Sequence, residues 1–294
     1  MNTIFQRTVV NTWGRAGQVW LSRLPMFIEE LSSHWQLDDI QPVKNMSYHY
    51  VALARQASQT PVVLKIGCDP QLTFDEYCAL KHFDGQGAVR ILDINKKYNA
   101  LLLERAIPGD TLKALYPDNL DVVIDAYAKL VKMLERPLGN RSGYTHVNQW
   151  CQSIDRIEDS RVEYCFIEKA QSIRSLLLAS SQHEYLCHGD LHLDNVLQHK
   201  DEWLAIDPKG IIGERAFEAA AFDIIAENEM QNLQAMPSKI INRISQLAVA
   251  LDLPVDRLLQ WTFLRVMISA QWFIEDDGDP SKMLLLAKCL YSNF

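Results

Sequence analysis

Several features that mark particular protein classes are absent from this sequence of 294 residues. Its six cysteines form no Cys-x-x-Cys pair and no spacing typical of a metal site. Isolated cysteines in a chain of this length are typical of reduced thiols, which predicts a cytoplasmic protein. The sequence has no run of about 18 apolar residues, and residues 1–10 lack the apolar core of a signal peptide, so we expect neither a membrane span nor secretion.

Clustered basic residues are also lacking. Lys and Arg total 29 against 37 for Asp and Glu, which gives a formal net charge of -8. Since binding to a phosphate backbone requires grouped positive charge, we expect no nucleic-acid partner. An acidic surface is compatible with a cationic substrate, but most acidic surfaces only keep a protein soluble. Neither composition nor charge distinguishes a monomer from a dimer.

The segment from Cys187 to Asp207 is the most informative part of the chain. It begins Cys-His-Gly-Asp-Leu-His-Leu-Asp-Asn-Val-Leu and ends Ala-Ile-Asp. Asp190 and Asn195 have the separation of the base and a magnesium ligand in a kinase catalytic loop, and Asp207 follows a short apolar run. We therefore predict that Asp190 is the catalytic base. We predict that Asn195 and Asp207 bind Mg²⁺ through hard oxygen atoms.

Two other interpretations of this segment stay open. Asp and Asn are frequent in turns and helix caps, so the loop could be purely structural. A zinc site built from His188, His192 and Asp194 is a further alternative, although it would lack soft ligands. In the kinase interpretation, His188 braces the loop by hydrogen bonding.

A lysine in the first part of the chain fits the same chemistry. Lys65 lies in Val-Val-Leu-Lys-Ile, which is close to the Val-Ala-Ile-Lys pattern of the third kinase strand. A lysine on a strand that otherwise faces the core needs a charge partner, which nucleotide phosphates and Glu76 can provide. The alternatives are an edge-strand lysine directed to water and a solvated Glu76, with Asp75 as the rival partner.

A glycine-rich phosphate loop is missing. Residues 45–50 read Asn-Met-Ser-Tyr-His-Tyr and occupy its expected place without a glycine. Because glycines allow backbone N–H groups to approach phosphates, Ser47 and backbone amides are predicted to serve there instead. The strand that ends near Glu104 and Ala106 is predicted to present backbone groups to a purine edge. ATP is the expected nucleotide, and GTP is not excluded.

The residue pattern divides the chain into a β-rich first part and a mainly helical second part. The elements predicted in the first part are a helix over 15–37 kinked at Pro25, a hairpin over 43–67, a helix over 73–83 and strands at 88–93 and 100–105. Those predicted in the second part are helices over 120–135, 146–158, 160–180, 215–230, 237–250, 254–274 and 281–291, and short strands at 196–198 and 203–206.

The turn Ile107-Pro-Gly-Asp110 interrupts the pattern between these parts. We therefore predict an α+β fold with two lobes. The N-lobe, residues 1–106, consists of a helix and an antiparallel sheet that covers the nucleotide. The helical C-lobe, residues 107–294, carries the catalytic loop and the metal and acceptor sites.

These motifs resemble those of the aminoglycoside phosphotransferases, and within them the streptomycin 6-phosphotransferase and hydroxyurea phosphotransferase branch. The most specific match is Asp-Pro-Lys-Gly-Ile-Ile-Gly-Glu at 207–214, and the resemblance extends over about residues 40–280. It implies a protein-kinase-like bilobal fold, ATP with Mg²⁺, and phosphorylation of a hydroxyl group on a small acceptor. The matched positions are the base Asp190, the metal ligands Asn195 and Asp207, and the phosphate-binding Lys65.

The acceptor is expected to lie against the helical lobe. Carboxylates there would pair with ammonium or guanidinium groups, and Trp272 is either a core residue or a stacking wall. Lys209 either neutralises phosphate charge or pairs with Glu214. The full set of substrate candidates is Lys209, Glu214, Asp223, Glu227, Trp272, Glu275 and Asp276.

The predicted function is therefore a Mg-ATP-dependent O-phosphotransferase that acts on a small hydroxylated molecule, with a streptomycin-like aminoglycoside antibiotic as the first candidate. One alternative is a housekeeping kinase for a sugar, an amino alcohol or a nucleoside-like metabolite. The other is a catalytically idle, kinase-like binding module, which the glycine-free loop supports.

Overall fold

The computed structural model of the protein describes residues 3–57, 59–139 and 141–294. These residues form two compact units that divide between Gly109 and Asp110. Within the described ranges, no helix combines the length and the apolar character needed to cross a membrane.

The first unit consists of a long helix, a five-stranded sheet and a shorter helix. Its elements, in chain order, are α1 (Thr3–Trp35), β1 (Leu37–Pro42), β2 (His49–Gln56), β3 (Pro61–Gly67), α2 (Pro70–Phe83), β4 (Ile91–Asn95) and β5 (Ala100–Glu104).

The sheet is antiparallel throughout, with the strand order β1-β2-β3-β5-β4. Strand β3 is central, and its Lys65 is in register with Val51 on one side and Leu101 on the other. Helix α1 packs its apolar stripe onto the sheet, because large side chains recur at intervals of three or four residues along one face. The buried members of this stripe are Trp20, Leu24, Phe27, Leu31 and Trp35.

Two predictions for the first unit need correction. The irregularity in α1 lies at Gly14, which has a positive φ of 53°, whereas Pro25 lies inside the helix. Helix α2 begins at Pro70 because the Asp69 carboxylate accepts hydrogen bonds from the N–H groups of residues 71 and 72. The predicted helix over 73–83 would have put Glu76 in its first turn, whereas Glu76 lies beyond the first turn of α2.

The second unit is mainly helical and carries short strands. Its elements, with the strand that spans the division first, are β6 (Pro108–Thr111), α3 (Leu120–Leu134), β7 (Thr145–His146), α4 (Val147–Cys151), α5 (Tyr164–Ala179), β8 (Tyr185–Cys187), β9 (Val196–His199), β10 (Glu202–Ala205), β11 (Ile211–Gly213), α6 (Arg215–Ala219), α7 (Met236–Ala250), α8 (Val255–Glu275) and α9 (Ser281–Tyr291).

Helix α8 is the central element of this unit. Helices α5, α6, α7 and α9 all pack against it, and most of its apolar side chains are buried. Strand β11 pairs antiparallel with β8 and parallel with β7. Strands β9 and β10 form an antiparallel hairpin. The segment between β8 and β9 is therefore fixed at both ends by strands.

The predicted helix over 215–230 is wrong. Helix α6 ends at Ala219, and only a 3₁₀ turn at Glu227–Gln231 follows. The intervening chain is buried and irregular, and its Asp223 carboxylate accepts the N–H of Leu193 from another segment. A tertiary contact of this kind overrides helix propensity and cannot be read from the local pattern.

Candidate active site

The predicted catalytic loop connects β8 to β9 and contains Asp190 and Asn195. Strand β8 is buried, and a 3₁₀ turn at Leu193–Asn195 ends the loop. Gly189 adopts a φ of +86°, and an added Cβ would lie 2.8 Å from Cγ1 of Ile211. Only glycine combines this φ with this close approach. The loop therefore turns sharply between the buried strand and Asp190.

We expect Gly189→Ala to lower the free energy of unfolding by about 1–3 kcal/mol, because an L side chain is strained at this φ and meets Ile211. Denaturant unfolding measures the loss. Gly139→Ala is the matched control, since a Cβ there meets nothing within 4 Å. Equal stability of the two variants would contradict this description of the loop.

The His188 side chain forms hydrogen bonds with both parts of the motif, the Asp190 loop and the segment before Asp207. This side chain is fully buried. Its Nδ1 accepts the N–H of Asp190 at 3.2 Å, and its Nε2 donates to the carbonyl of Ile206 at 2.8 Å. Burial lowers the pKa of His188 to about 4, so the ring is neutral near pH 7. Because both ring nitrogens are engaged, the zinc alternative that includes His188 is wrong.

Asn195 is fixed by hydrogen bonds to the backbone of both parts of the motif. Its Nδ2 donates to the backbone carbonyl of Asp190 at 2.9 Å. Its own backbone carbonyl accepts the N–H of Ile206 at 2.9 Å, next to Asp207. The amide nitrogen is thus directed to the loop backbone, which leaves the side-chain oxygen for another partner.

Asp190 is 34% exposed at its side chain, and its Oδ1 accepts a hydrogen bond from Nη2 of Arg265 at 3.1 Å. Asp207 adopts a left-handed φ of +61°, which is uncommon for residues other than glycine and is frequent at functional sites. Its Oδ2 lies 2.8 Å from Nζ of Lys209. Hydrogen bonds through His188 and Asn195 therefore hold the Asp190 loop against the segment that leads to Asp207.

Lys209 contacts Asp207, so the predicted pairing of Lys209 with Glu214 is wrong, and neutralisation of phosphate charge by Lys209 stays a prediction. Glu214 is buried and accepts two hydrogen bonds from Arg257, at 2.8 Å each, and one from the indole N–H of Trp261. These contacts anchor the start of α6 to α8. Glu214 is therefore held inside the protein rather than presented to an acceptor, which corrects its assignment as a substrate residue.

Glu218 on α6 holds the backbone of the predicted catalytic loop, and the sequence analysis missed it. It is fully buried, and its carboxylate accepts the backbone N–H groups of His188 and Gly189. Burial raises the pKa of Glu218 to about 7, against the attraction of Arg265 and these two N–H groups. Glu218 thus fixes the backbone at the start of the loop. Its place in the predicted helix over 215–230, four residues after Glu214, was the available sequence feature.

The pKa of Glu218 predicts a dependence of stability on pH. The folded protein binds this proton more tightly than the unfolded chain, in which a glutamate has its ordinary pKa of 4.5. The stabilisation is complete below about pH 4.5 and is lost as pH rises through about 7. The difference corresponds to about 3 kcal/mol.

Denaturant unfolding of the wild type and of Glu218→Gln at several values between pH 5 and 8 measures this effect. We expect the difference in unfolding free energy between the two proteins to shift in favour of the wild type as pH falls. A difference that is constant over this range would contradict the assignment. Other titrating groups are common to both proteins and cancel.

The remaining substrate candidates occupy separate positions on the second unit. Asp223 supports the catalytic loop through Leu193 and lies 2.9 Å from Nζ of Lys113. Trp272 is half-buried and packs edge-to-face on Trp150, with ring centroids 5.0 Å apart. Three carboxylates reach the surface on or near the ends of helices, namely Glu227, Glu275 and Asp276. Of these, Glu275 pairs with Arg156 at 2.9 Å.

The candidates for nucleotide binding belong to the first unit. Lys65 on β3 and Glu76 on α2 form an ion pair of 2.6 Å, with the residues only 6% and 3% exposed. Because β3 is the central strand, the edge-strand alternative for Lys65 is wrong. The rival Asp75 accepts a hydrogen bond from Gln71 at 2.7 Å.

The other three nucleotide candidates lie at the ends of strands. Glu104 is the last residue of β5, and its Oε2 accepts the N–H of Arg90 at 3.1 Å. Ala106 is buried two residues further on. Ser47 is exposed in the glycine-free segment between β1 and β2.

The chain was compared with known proteins. A family model described as aminoglycoside/hydroxyurea antibiotic resistance kinase matches residues 34–278. Streptomycin 6-kinase of Streptomyces glaucescens is 26% identical over 93% of this chain and 91% of its own length. Streptomycin 3''-kinase of Klebsiella pneumoniae is 32% identical over 74% of this chain and 81% of its own length.

A solved structure supports the predicted kinase-like fold. The structure of a thermostable mutant of the aminoglycoside phosphotransferase APH(4)-Ia, in a ternary complex with ADP and hygromycin B, matches 90% of this chain and 97% of its own, with a TM-score of 0.63 and 15% identity. The prediction of a protein-kinase-like α+β fold is confirmed, and so is the predicted branch of phosphotransferases. The match over residues 34–278 shows that the chain belongs to the aminoglycoside/hydroxyurea antibiotic resistance kinases.

Proposed function

We propose that this protein transfers the γ-phosphoryl group of Mg-ATP to a hydroxyl group of a small cationic acceptor, with streptomycin as the first candidate. The observation that carries the proposal is the arrangement of Asp190, Asn195 and Asp207 around the buried His188. Relatives that are 26% and 32% identical are named streptomycin kinases, which supports this acceptor.

Asp190 is proposed to act as the base. Its side chain is partly exposed, and one carboxylate oxygen accepts from Arg265, so the other can accept the hydrogen of an acceptor hydroxyl. The N–H of Asp190 is held by His188 and its carbonyl by Asn195. A base that is fixed in this way orients the hydroxyl oxygen for in-line attack on the phosphoryl group.

The residues fit a magnesium site. Mg²⁺ is held by one or two carboxylates or amide oxygens together with phosphate oxygens and water. The amide nitrogen of Asn195 is turned to the backbone, so its oxygen, with Asp207, would hold the ion. Among residues 3–57, 59–139 and 141–294, no group of three His, Cys, Asp or Glu side chains is placed to hold a metal. When bound, Mg²⁺ neutralises phosphate charge.

Lys65 is proposed to contact the phosphates of the nucleotide. The buried Glu76 fixes the Lys65 ammonium at 2.6 Å and so reduces the number of side-chain conformations that must be ordered on binding. Glu104, Ala106 and Ser47 remain proposed nucleotide contacts. The proposed acceptor contacts are Glu227, Trp272, Glu275 and Asp276, because exposed carboxylates and a half-buried indole suit a cationic, hydroxylated molecule.

Mass spectrometry of an acceptor panel tests the proposal. The purified protein is incubated with Mg²⁺, ATP and streptomycin, hygromycin B, hydroxyurea, an amino alcohol, a sugar or a nucleoside. We expect one added phosphate on streptomycin, dependent on both Mg²⁺ and ATP. Because the two relatives are named for different positions, NMR of the product identifies the phosphorylated hydroxyl. A parallel incubation with GTP determines the nucleotide preference.

The panel also separates the alternatives. Phosphorylation of a metabolite, with streptomycin unmodified, would indicate a housekeeping kinase. Binding of Mg-ATP by calorimetry without transfer to any acceptor would indicate an idle binding module. Either result contradicts the proposed function.

A further inference from the structure

Arg265 contacts the proposed base from a distant part of the chain. It belongs to α8, and its Nη2 lies 3.1 Å from Oδ1 of Asp190. The Arg265 side chain is only 12% exposed, compared with 34% for Asp190. A mostly buried guanidinium therefore holds Oδ1 of Asp190, whereas Oδ2 lies 3.9 Å from Nε2 of His192.

The guanidinium is itself fixed by an aromatic platform. Its central carbon lies 5.5 Å from the centroid of Phe217, a distance suited to a cation–π contact. Phe217 packs edge-to-face against Trp261 and Trp150, with centroid distances of 5.4 and 6.0 Å. An added Cβ on Gly213 would lie 2.7 Å from the Phe217 ring. The platform is thus closely packed and leaves Arg265 little freedom.

We propose that Arg265 is a positioning residue, which holds Oδ1 of Asp190 so that Oδ2 faces the acceptor hydroxyl. This inference rests on the proposed function, in which Asp190 is the base. Phosphoryl transfer passes through a loose transition state, so the base chiefly orients the hydroxyl. The position of the Asp190 carboxylate then affects the rate more than its proton affinity does. A displacement of a catalytic group by about 1 Å can lower the rate about 10²-fold.

A double-mutant cycle of Arg265→Gln and Asp190→Ala tests the proposal, with turnover followed by radiolabelled ATP. We expect Arg265→Gln alone to lower kcat by about 10- to 100-fold, with the KM for ATP nearly unchanged. In the Asp190→Ala background, the same change should alter kcat by less than about twofold, because Arg265 acts through Asp190. An equal loss in both backgrounds would overturn the proposal.

A second cycle tests a competing role. The charge of Arg265 lowers the pKa of the buried Glu218 against the effect of burial, and Glu218 holds the backbone of the same loop. If Arg265 acted through Glu218, Arg265→Gln would no longer lower kcat in a Glu218→Gln background, and that result would overturn the positioning role.

Arg257→Lys is the matched control for Arg265→Lys. Both arginines belong to α8 and contact a carboxylate, but Arg257 contacts Glu214. Arginine and lysine are not equivalent at such sites, because lysine lacks the planar fork. We expect Arg265→Lys to lower kcat, and Arg257→Lys to lower the unfolding midpoint while kcat is kept. Retained kcat in Arg265→Lys, together with lowered kcat in Arg257→Lys, would overturn the proposal.

Crystal structures of the wild type and of Arg265→Gln provide a test that is independent of turnover. We expect the Asp190 carboxylate to leave its wild-type rotamer in the variant, while the contact between Leu193 and Asp223 stays. An unchanged Asp190 rotamer would overturn the positioning role even if the protein is an active kinase. If the wild type phosphorylates no acceptor, the proposed function is overturned. The Asp190 rotamer in the two structures then still tests whether Arg265 positions Asp190.

Discussion

Replacement of Asp190 by asparagine is expected to lower kcat by about 10²–10⁴-fold, which is the usual contribution of a positioned base. Binding of Mg-ATP should be retained, because the amide keeps the shape of the side chain and the loop is held through its backbone by His188 and Asn195. Steady-state kinetics with streptomycin measure the loss, and calorimetry with Mg²⁺ and a non-hydrolysable ATP analogue measures the binding.

Asp194→Asn is the matched control for this change. Asp194 belongs to the same loop, undergoes the same loss of charge, and is 58% exposed at its side chain. Its contacts with Lys113 and His192 are long, at 4.0 and 3.8 Å, so we expect turnover close to that of the wild type. Normal turnover by Asp190→Asn would refute the base assignment. An equal loss in both variants would assign the effect to loop charge.

Lys65→Met is expected to lower the free energy of unfolding by about 3–5 kcal/mol. Removal of one partner from a buried ion pair is strongly destabilising, and the Glu76 carboxylate that pairs with Lys65 is only 3% exposed. Far-UV circular dichroism during denaturant unfolding measures the loss. Turnover should also fall, because the proposed contact with the nucleotide phosphates is removed.

The double variant Lys65→Met/Glu76→Leu separates these two effects. Replacement of both members of a buried ion pair by apolar residues is often neutral or stabilising, so we expect most of the lost stability to return. Turnover should stay low, because no ammonium faces the phosphates. A double variant with wild-type turnover would show that Lys65 does not serve the nucleotide. A stable Lys65→Met variant would show that the pair contributes little.

The residues of the predicted catalytic loop could be recognised in the sequence because they are close together in the chain. Asp190 and Asn195 share one loop, and Asp207 follows a hairpin whose two strands have clear β-forming residues. The fixed separations of kinase chemistry are therefore visible without tertiary structure. The long amphipathic helices α3, α7, α8 and α9 were predicted for a similar reason, since their apolar periodicity extends over several turns.

The contacts that support the loop could not be predicted in this way. Arg265 is 75 positions from Asp190, and Glu218 is 30 positions from His188. In the sequence, each is one charged residue on a helical segment, and nothing local distinguishes it from a solvated side chain. For Glu214 the error is reversed. The sequence predicted a contact with the acceptor, but the Glu214 carboxylate is bound inside the protein by Arg257 and Trp261.

Very short elements were missed as well. Strands β7, β8 and β11 contain two or three residues each, which is fewer than an alternating pattern needs to be recognised. They are stabilised by pairing with one another rather than by propensity. The place where the chain leaves β8 nevertheless determines how His188 and Asp190 are presented.

The central claim is that Asp190, Asn195 and Asp207 form one phosphoryl-transfer centre. A crystal structure of the protein with Mn²⁺ in place of Mg²⁺ and a non-hydrolysable ATP analogue tests it most directly, because anomalous scattering locates the metal. We predict direct ligation by the side-chain oxygens of Asn195 and Asp207, with the γ-phosphate facing Asp190. A metal and γ-phosphate bound away from these three side chains would contradict the claim.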